Sequence, residues 1–330
     1  SRYRSELMGA AMLFVILFHV GLPREDTFFG LRRMGNIGVD IFLFLSGMGL
    51  WFSWTRRPSL RHFFQRRFLR IYPAWIVMAS LYYIPDYLGV SIVGHSGHST
   101  SIIDLIGDIT INWDFWLHDE LTFWYIPALM FLYVASPFYM NLIIRHPIYR
   151  WLPVTMIMWC ILVQYVTPIH EAVGHLEIFW SRVPIFFIGI NMAAAVERKE
   201  TMDGASIWMI GLMFIMALAS SIFLEQVKHG QFPLFLERML YIPLTVTAIL
   251  LLNRIFRRLP DTANRLFRLI GTLSLEAYLI HDHFVLEYIE QVGWGYWPTF
   301  LITTAITVML AWLLHTFIGR IVTPIEKRIR

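Results

Sequence analysis

An all-α, membrane-embedded bundle of about ten helices is the fold this sequence predicts, on three observations. Ten stretches of roughly 18 apolar residues follow one another along the 330 positions, each about long enough to cross a hydrocarbon layer ~30 Å thick. Hydrophobic residues make up 57% of the chain and charged ones only 15%, too apolar a mixture for a soluble domain of this length. Lys and Arg crowd onto one side of the alternating loops.

The stretches run at roughly 7–22, 36–54, 71–88, 121–144, 151–168, 181–196, 206–224, 238–253, 269–290 and 296–318. No polar linker or fixed-period repeat separates them, so residues 1–330 read as a single transmembrane domain. The N-terminus shows no cleavable signal pattern, and its first apolar segment reads as the first span. With both termini and the even-numbered loops on one side, that side holds 21 of the 27 Lys and Arg; the other holds Arg24, Arg32, Arg33, Arg182, Lys228 and Arg238. Basic loops stay in the cytoplasm, so both termini are expected there and the protein in the plasma membrane. The net charge of +4 therefore reflects topology and anionic membrane lipid, not nucleic acid. The single Cys160 excludes an intrachain disulfide.

Polar residues inside the apolar stretches point to chemistry, because charge in lipid is costly. The first stretch ends LFVILFHVG with His19, the second opens IGVDIFLFLSGMG with Asp40, and the ninth reads LSLEAYLIHDHF with His281. At 1.5 Å rise per residue, His19 and His281 reach roughly 18 Å above the inner boundary and Asp40 sits about 8 Å below the outer one. The three are thus expected in one layer, facing the bundle interior. Each has a plainer reading: a hydrogen-bonded structural histidine, a carboxylate at a helix N-terminus, an interfacial polar cluster with Asp282 and His283.

Before the third stretch lies TRRPSLRHFFQRRFLRIYP. Arg66, Arg67 and Arg70 include an i, i+3 pair on one helix face, followed by Tyr72 and Pro73. Guanidinium forks suit phosphate, although basic loops on this side are also what topology alone produces. The outer segment from about 89 to 120 contains no Lys or Arg. His95 and His98 there are spaced for a metal ion, but a solvated loop accounts for them and no metal is expected. Trp113, Trp116 and Trp124 suit either a sugar-stacking platform or the aromatic belt of the interface.

The ordered set FH at 18–19, GVDIFLFLSG at 38–47, RRFLRIYP at 66–73, FWYIPALMFLYVASP at 123–137, SRVPIFFIG at 181–189 and LSLEAYLIH at 273–281 resembles the membrane acyltransferase-3 family. The resemblance implies ten helices and transfer of an acyl group, usually acetyl from acetyl-CoA, to a hydroxyl of a surface glycan or lipid-linked sugar. It assigns His19 as the base. It links Arg67 and Arg70, with Arg66 and Tyr72 beside them, to the CoA donor, and it matches Asp40, Ser46, Arg182 and His281 to family positions. In the mechanism expected from it, Asp40 orients the His19 ring, His281 holds the acceptor or the oxyanion, and Ser46, Trp124 and Arg182 contact substrate. One departure stands out: the family places an arginine eleven residues before the first-helix histidine, where this chain has Met8, and Arg4 lies one turn earlier on the same face. No appended catalytic domain is seen, which favours a self-contained enzyme. Two rival classes remain, a transporter or flippase built on the Pro-interrupted spans and a non-catalytic partner of a glycan-assembly machine.

Overall fold

The computed structural model describes residues 3–90, 101–197 and 204–329; His95 and His98 lie outside them. The described residues are mostly helical, with no strand. In chain order the helices are α1 (Arg4–His19), α2 (Phe29–Arg33), α3 (Ile37–Arg56), α4 (Leu60–Tyr87), α5 (Ile102–Ile111), α6 (Trp113–Leu117), α7 (Tyr125–Arg145), α8 (Leu152–Tyr165), α9 (Thr167–Val173), α10 (Glu177–Trp180), α11 (Val183–Glu197), α12 (Gly204–Ile222), α13 (Leu234–Arg258), α14 (Asp261–Thr272), α15 (Ser274–Ile280), α16 (Glu287–Glu290) and α17 (Tyr296–Ile329). Every one of the ten apolar stretches falls on helix.

Five helical runs are long and apolar enough to cross a bilayer: Phe29–Arg56, Tyr125–Arg145, Ser206–Val227, Leu234–Arg258 and Tyr296–Lys327. Pro147–Tyr165 and Thr167–Trp180 pass together as a sixth, bent by 97°. The bend follows from Pro168, which takes a donor from the ladder and holds the preceding residues out of helical backbone. The exposed face of α12 carries Trp208 at 82%, Leu212 at 58% and Ile215 at 62% exposure, a surface that water would not tolerate at this extent and that lipid accepts. This is a membrane protein.

The chain forms two compact units, one from Ser1–Pro58 and Ala135–Thr272, the other from Ser59–Val134 and Leu273–Arg330. The chain passes between the units at three points; the first lies in the polar TRRPSLR between α3 and α4, whereas the second falls inside α7, where composition gives no sign of it.

The first unit is held by glycines that let backbones touch. A side chain at Gly47 of α3 would run into the Phe186 carbonyl of α11, and one at Gly189 of α11 into the Phe44 carbonyl of α3. Gly9 of α1 and Gly271 of α14 form a second reciprocal pair, against Phe267 and Ser5. In lipid, helix association rests on such close packing, because apolar burial alone gives no preference over lipid contact.

In the second unit α4 begins at Ser59, whose side chain accepts from the His62 N–H, and continues through Pro73 to Tyr87. The arginines at 66, 67 and 70 therefore sit on the same helix as the third apolar stretch, not on a loop before it. The described part of the segment expected as a solvated outer loop, from residue 101, also folds differently. Ser101 caps α5 through the Asp104 N–H, and Asn112, at φ 57°, ends α5 and caps α6 by accepting from Phe115. Tyr72 donates to the Thr110 carbonyl at 3.2 Å and Tyr83 to the Asn112 side chain at 3.1 Å. Those tyrosines are about 16 Å apart along α4, so the 110–112 turn lies beside the middle of α4. Asp108, Asn112 and Asp114 are buried there, and paired: Asp108 accepts from the Asp114 N–H and Asp114 from His118.

The ninth stretch is broken where one span was expected. It ends α14 at Thr272, restarts as α15, and widens into a π-turn at Asp282–Leu286 directly after His281. Such bulges concentrate at functional sites.

Candidate active site

His19 is the last residue of α1 and is half-buried. Its Nδ1 lies 2.8 Å from the Val15 carbonyl one turn back. A carbonyl only accepts, so Nδ1 carries the proton and Nε2 the lone pair. In a neutral ring this is the tautomer a general base needs. His281, 2% exposed, repeats the arrangement, its Nδ1 donating to the Tyr278 carbonyl at 2.7 Å.

Asp40 was expected to orient the His19 ring. In the structure His19 Nδ1 meets the Val15 carbonyl and Asp40 pairs with Arg182 at 3.7 Å. Arg182 is 2% and Asp40 4% exposed; the guanidinium also donates to Asn36 at 2.9 Å and to the Ile178 carbonyl at 3.3 Å. The physical reason is charge: a buried guanidinium outcompetes a neutral ring for a buried carboxylate.

The pair belongs to a wider ion network within the first unit. Arg238 lies 3.8 Å from Glu177, Arg33 lies 3.0 Å from Glu225 and 3.8 Å from Glu237, and Arg24 is 3.6 Å from Glu225. Tyr241 donates to Glu237. Arg24, Arg33, Arg182 and Arg238 are four of the six cations that sequence placed on the sparsely charged side, and each faces an acid. Glu177, Glu225 and Glu237 escaped the sequence reading, although acids inside apolar runs such as LFLERMLY were the available signal. Ser46 is buried at 5% exposure on α3.

In the second unit the three arginines part company around the turn of α4. Arg66 and Arg70 are exposed, while Arg67 turns inward, its guanidinium 5.6 Å from the Phe63 ring and 5.8 Å from the Tyr133 ring. Its Nε is buried without a hydrogen-bond partner, a donor open to an acceptor oxygen. Tyr72 commits its hydroxyl to Thr110. Trp124, expected on a sugar-stacking platform, is 8% exposed, packed beside Tyr125 with ring centroids 6.3 Å apart; the fold turns its indole inward. A pair missed by sequence completes the unit: Glu276, 6% exposed, accepts from His315 at 2.7 Å.

Comparison with known proteins follows the same lines. A family model described as an acyltransferase domain matches residues 9–316. The regulator of hypoxia-inducible factor 1 of Caenorhabditis elegans is 30% identical over 169 residues, covering 42% of this chain and 33% of the worm protein. That match spans about a third of the relative's length. No solved structure matches.

Proposed function

The chain belongs to the membrane acyltransferase-3 family, and on that premise we propose that it moves an acyl group, most simply acetyl, from a cytoplasmic CoA thioester to a hydroxyl of a surface glycan or lipid-linked sugar. The His19 ring carries this reading: its Nδ1 donates to the Val15 carbonyl, which in the neutral ring puts the lone pair on Nε2.

In the proposed reaction the acceptor hydroxyl oxygen attacks the thioester carbonyl while its proton passes to His19 Nε2. The tetrahedral intermediate collapses with cleavage of the carbon–sulfur bond. The departing CoA sulfur takes the proton back from the imidazolium, so the products are the ester and free CoA. Asp40 holds Arg182, and the Arg182 guanidinium contacts the acceptor in this scheme together with Ser46. Arg67, with Arg66 and Arg70 on the same helix, receives the donor phosphates. His281, with its own Nε2 lone pair, orients the acceptor hydroxyl. Cys160 takes no part in this scheme: it is buried and donates to the Trp180 carbonyl at 3.2 Å. The ten apolar stretches act as ten crossings of the plasma membrane with both termini in the cytoplasm, supported by the asymmetry of Lys and Arg.

The test is equilibrium binding of acetyl-CoA to purified protein, with acyl release measured alongside. Arg67→Ala combined with Arg70→Ala abolishes saturable binding. His19→Ala abolishes transfer and leaves binding within a few fold. Turnover undiminished in His19→Ala removes His19 as base, and no binding at millimolar acetyl-CoA removes the donor.

A further inference from the structure

A cavity of about 240 Å³ opens where α13 turns into α14, against the start of α1. Two acids, Glu6 and Asp261, and two arginines, Arg257 and Arg268, line it, and Arg265, beside it on α14, adds a third cation. Glu6 is taken by Arg268, which donates to one carboxylate oxygen at 2.8 and 3.0 Å. Asp261 is taken by Arg265 at 2.9 Å. Arg257 lines the cavity and has no acidic partner among the described residues, which leaves one guanidinium over.

Asn264 supplies a second unmet need. Its Nδ2 donates to the Phe256 carbonyl at 3.0 Å and the Leu259 carbonyl at 3.4 Å, and two carbonyl partners fix which end of the amide is nitrogen. The other end, Oδ1, is buried without a partner, in a side chain that lines the cavity and is only 6% exposed. A buried acceptor left unpaired costs about 1–3 kcal/mol, so the complementary ligand carries a donor as well as negative charge.

The surroundings say where that ligand comes from. Ile255 on α13 and Leu266 and Leu269 on α14 are 50%, 57% and 46% exposed. Asp261, Asn264 and Arg268 share one face of α14 with the cavity, and the leucines take another. A helix so divided lies in a membrane interface, and its exposed apolar face offers acyl chains a track. The volume also falls below the ~300–1,000 Å³ typical of whole small-molecule sites, and suits a headgroup.

We propose that this cavity binds the headgroup of a membrane phospholipid, the phosphate on Arg257 and a headgroup hydroxyl or ammonium on Asn264 Oδ1. The proposal rests on the chain's being a membrane protein and not on the acyl-transfer reading. Native mass spectrometry of the full chain, delipidated in detergent and titrated with phosphatidylglycerol, phosphatidylcholine or soluble glycerol phosphate, tests it. Phosphatidylglycerol has both charge and hydroxyls; the choline head has no donor. At least tenfold tighter retention of phosphatidylglycerol than of phosphatidylcholine is expected. Arg257→Gln should remove that preference, and Arg254→Gln, an exposed arginine one turn earlier that does not line the cavity, should keep it within twofold. Equal retention of the two lipids, or an Arg257→Gln variant that behaves as the parent, overturns the site. Displacement of the lipid by equimolar glycerol phosphate overturns the lipid and leaves a soluble phosphate ester as the ligand.

Discussion

Replacing Asp40 by Asn removes one charge from a buried pair and keeps the shape. Asp40 and Arg182 are 4% and 2% exposed and 3.7 Å apart, so the remaining guanidinium cannot reach water. Losing one partner of such a pair costs about 3–5 kcal/mol. Arg182 still donates to Asn36 and to the Ile178 carbonyl, which places the loss at the lower end, about 3 kcal/mol or roughly a hundredfold in the unfolding equilibrium. Arg182→Gln should cost a similar amount, since it leaves the carboxylate buried. The double variant should lose clearly less than the two single losses added, because neither charge is then stranded; a coupling of about 2 kcal/mol is expected. Equilibrium unfolding in mixed micelles measures all three. An additive cycle, or a single loss below about 0.5 kcal/mol, would mean that the two groups do not sustain each other. Turnover per folded molecule separates this role from ring orientation. With Val15 holding His19, Asp40→Asn should lower turnover far less than His19→Ala does.

Three further outcomes follow from the packing. Gly189→Leu should destabilise by more than the ~1–3 kcal/mol of ordinary overpacking, because the Phe44 backbone, not a side chain, blocks the space; thermal unfolding of the purified protein reads this. His315→Ala should cost more than Glu276→Gln in the same measurement. The first strands a carboxylate that is 6% exposed, at about 1–3 kcal/mol or more, whereas the second leaves a half-exposed imidazole that water can serve. Cys160→Ser should keep acyl transfer within about threefold, and a loss as deep as that of His19→Ala would point to an acyl-enzyme on sulfur.

The helices were legible because lipid imposes a long, unbroken apolar run on each crossing, and that run survives in composition. The breaks were not. The π-turn after His281 sits in LSLEAYLIHDHF, where no Gly or Pro marks a change, and the stop at Leu273 has only Gly271 before it, a residue that also serves close packing. The two-unit division was hidden because one of its boundaries falls within the unbroken helix α7, where no change of composition marks it. Of the candidate site, residue types in costly places were readable: His19, Asp40, Arg182 and His281 each stood out as polar in an apolar run. Their partners were not, because Asp40 meets Arg182 across 142 positions of chain and pairing is a tertiary fact. Where Asn112 takes a positive φ and sends the chain back along α4, the sequence NWDFW reads as plainly as an exposed loop.

The family arginine missing at Met8 can be pursued through a glycine. Met8 is 7% exposed and apolar, so no charge occupies that position. One turn earlier, Arg4 reaches α3. A side-chain carbon built on Gly49 would meet the Arg4 guanidinium at 3.4 to 3.7 Å, ordinary contact, so the guanidinium lies flat against the helix where a side chain is lacking. Alanine at 49 fits that distance, and leucine does not. If Arg4 serves the donor in place of the family residue, Gly49→Ala should leave acetyl-CoA affinity within about twofold. Gly49→Leu should displace the guanidinium and weaken affinity about tenfold, the effect of losing one charge-assisted hydrogen bond of ~1.5 kcal/mol. Arg4→Gln should reproduce the leucine effect, and the combination of Arg4→Gln with Gly49→Leu should add nothing to it. Full additivity between the two would show that Gly49 acts through helix packing alone, and unchanged affinity in Arg4→Gln would leave the donor to the arginines of α4.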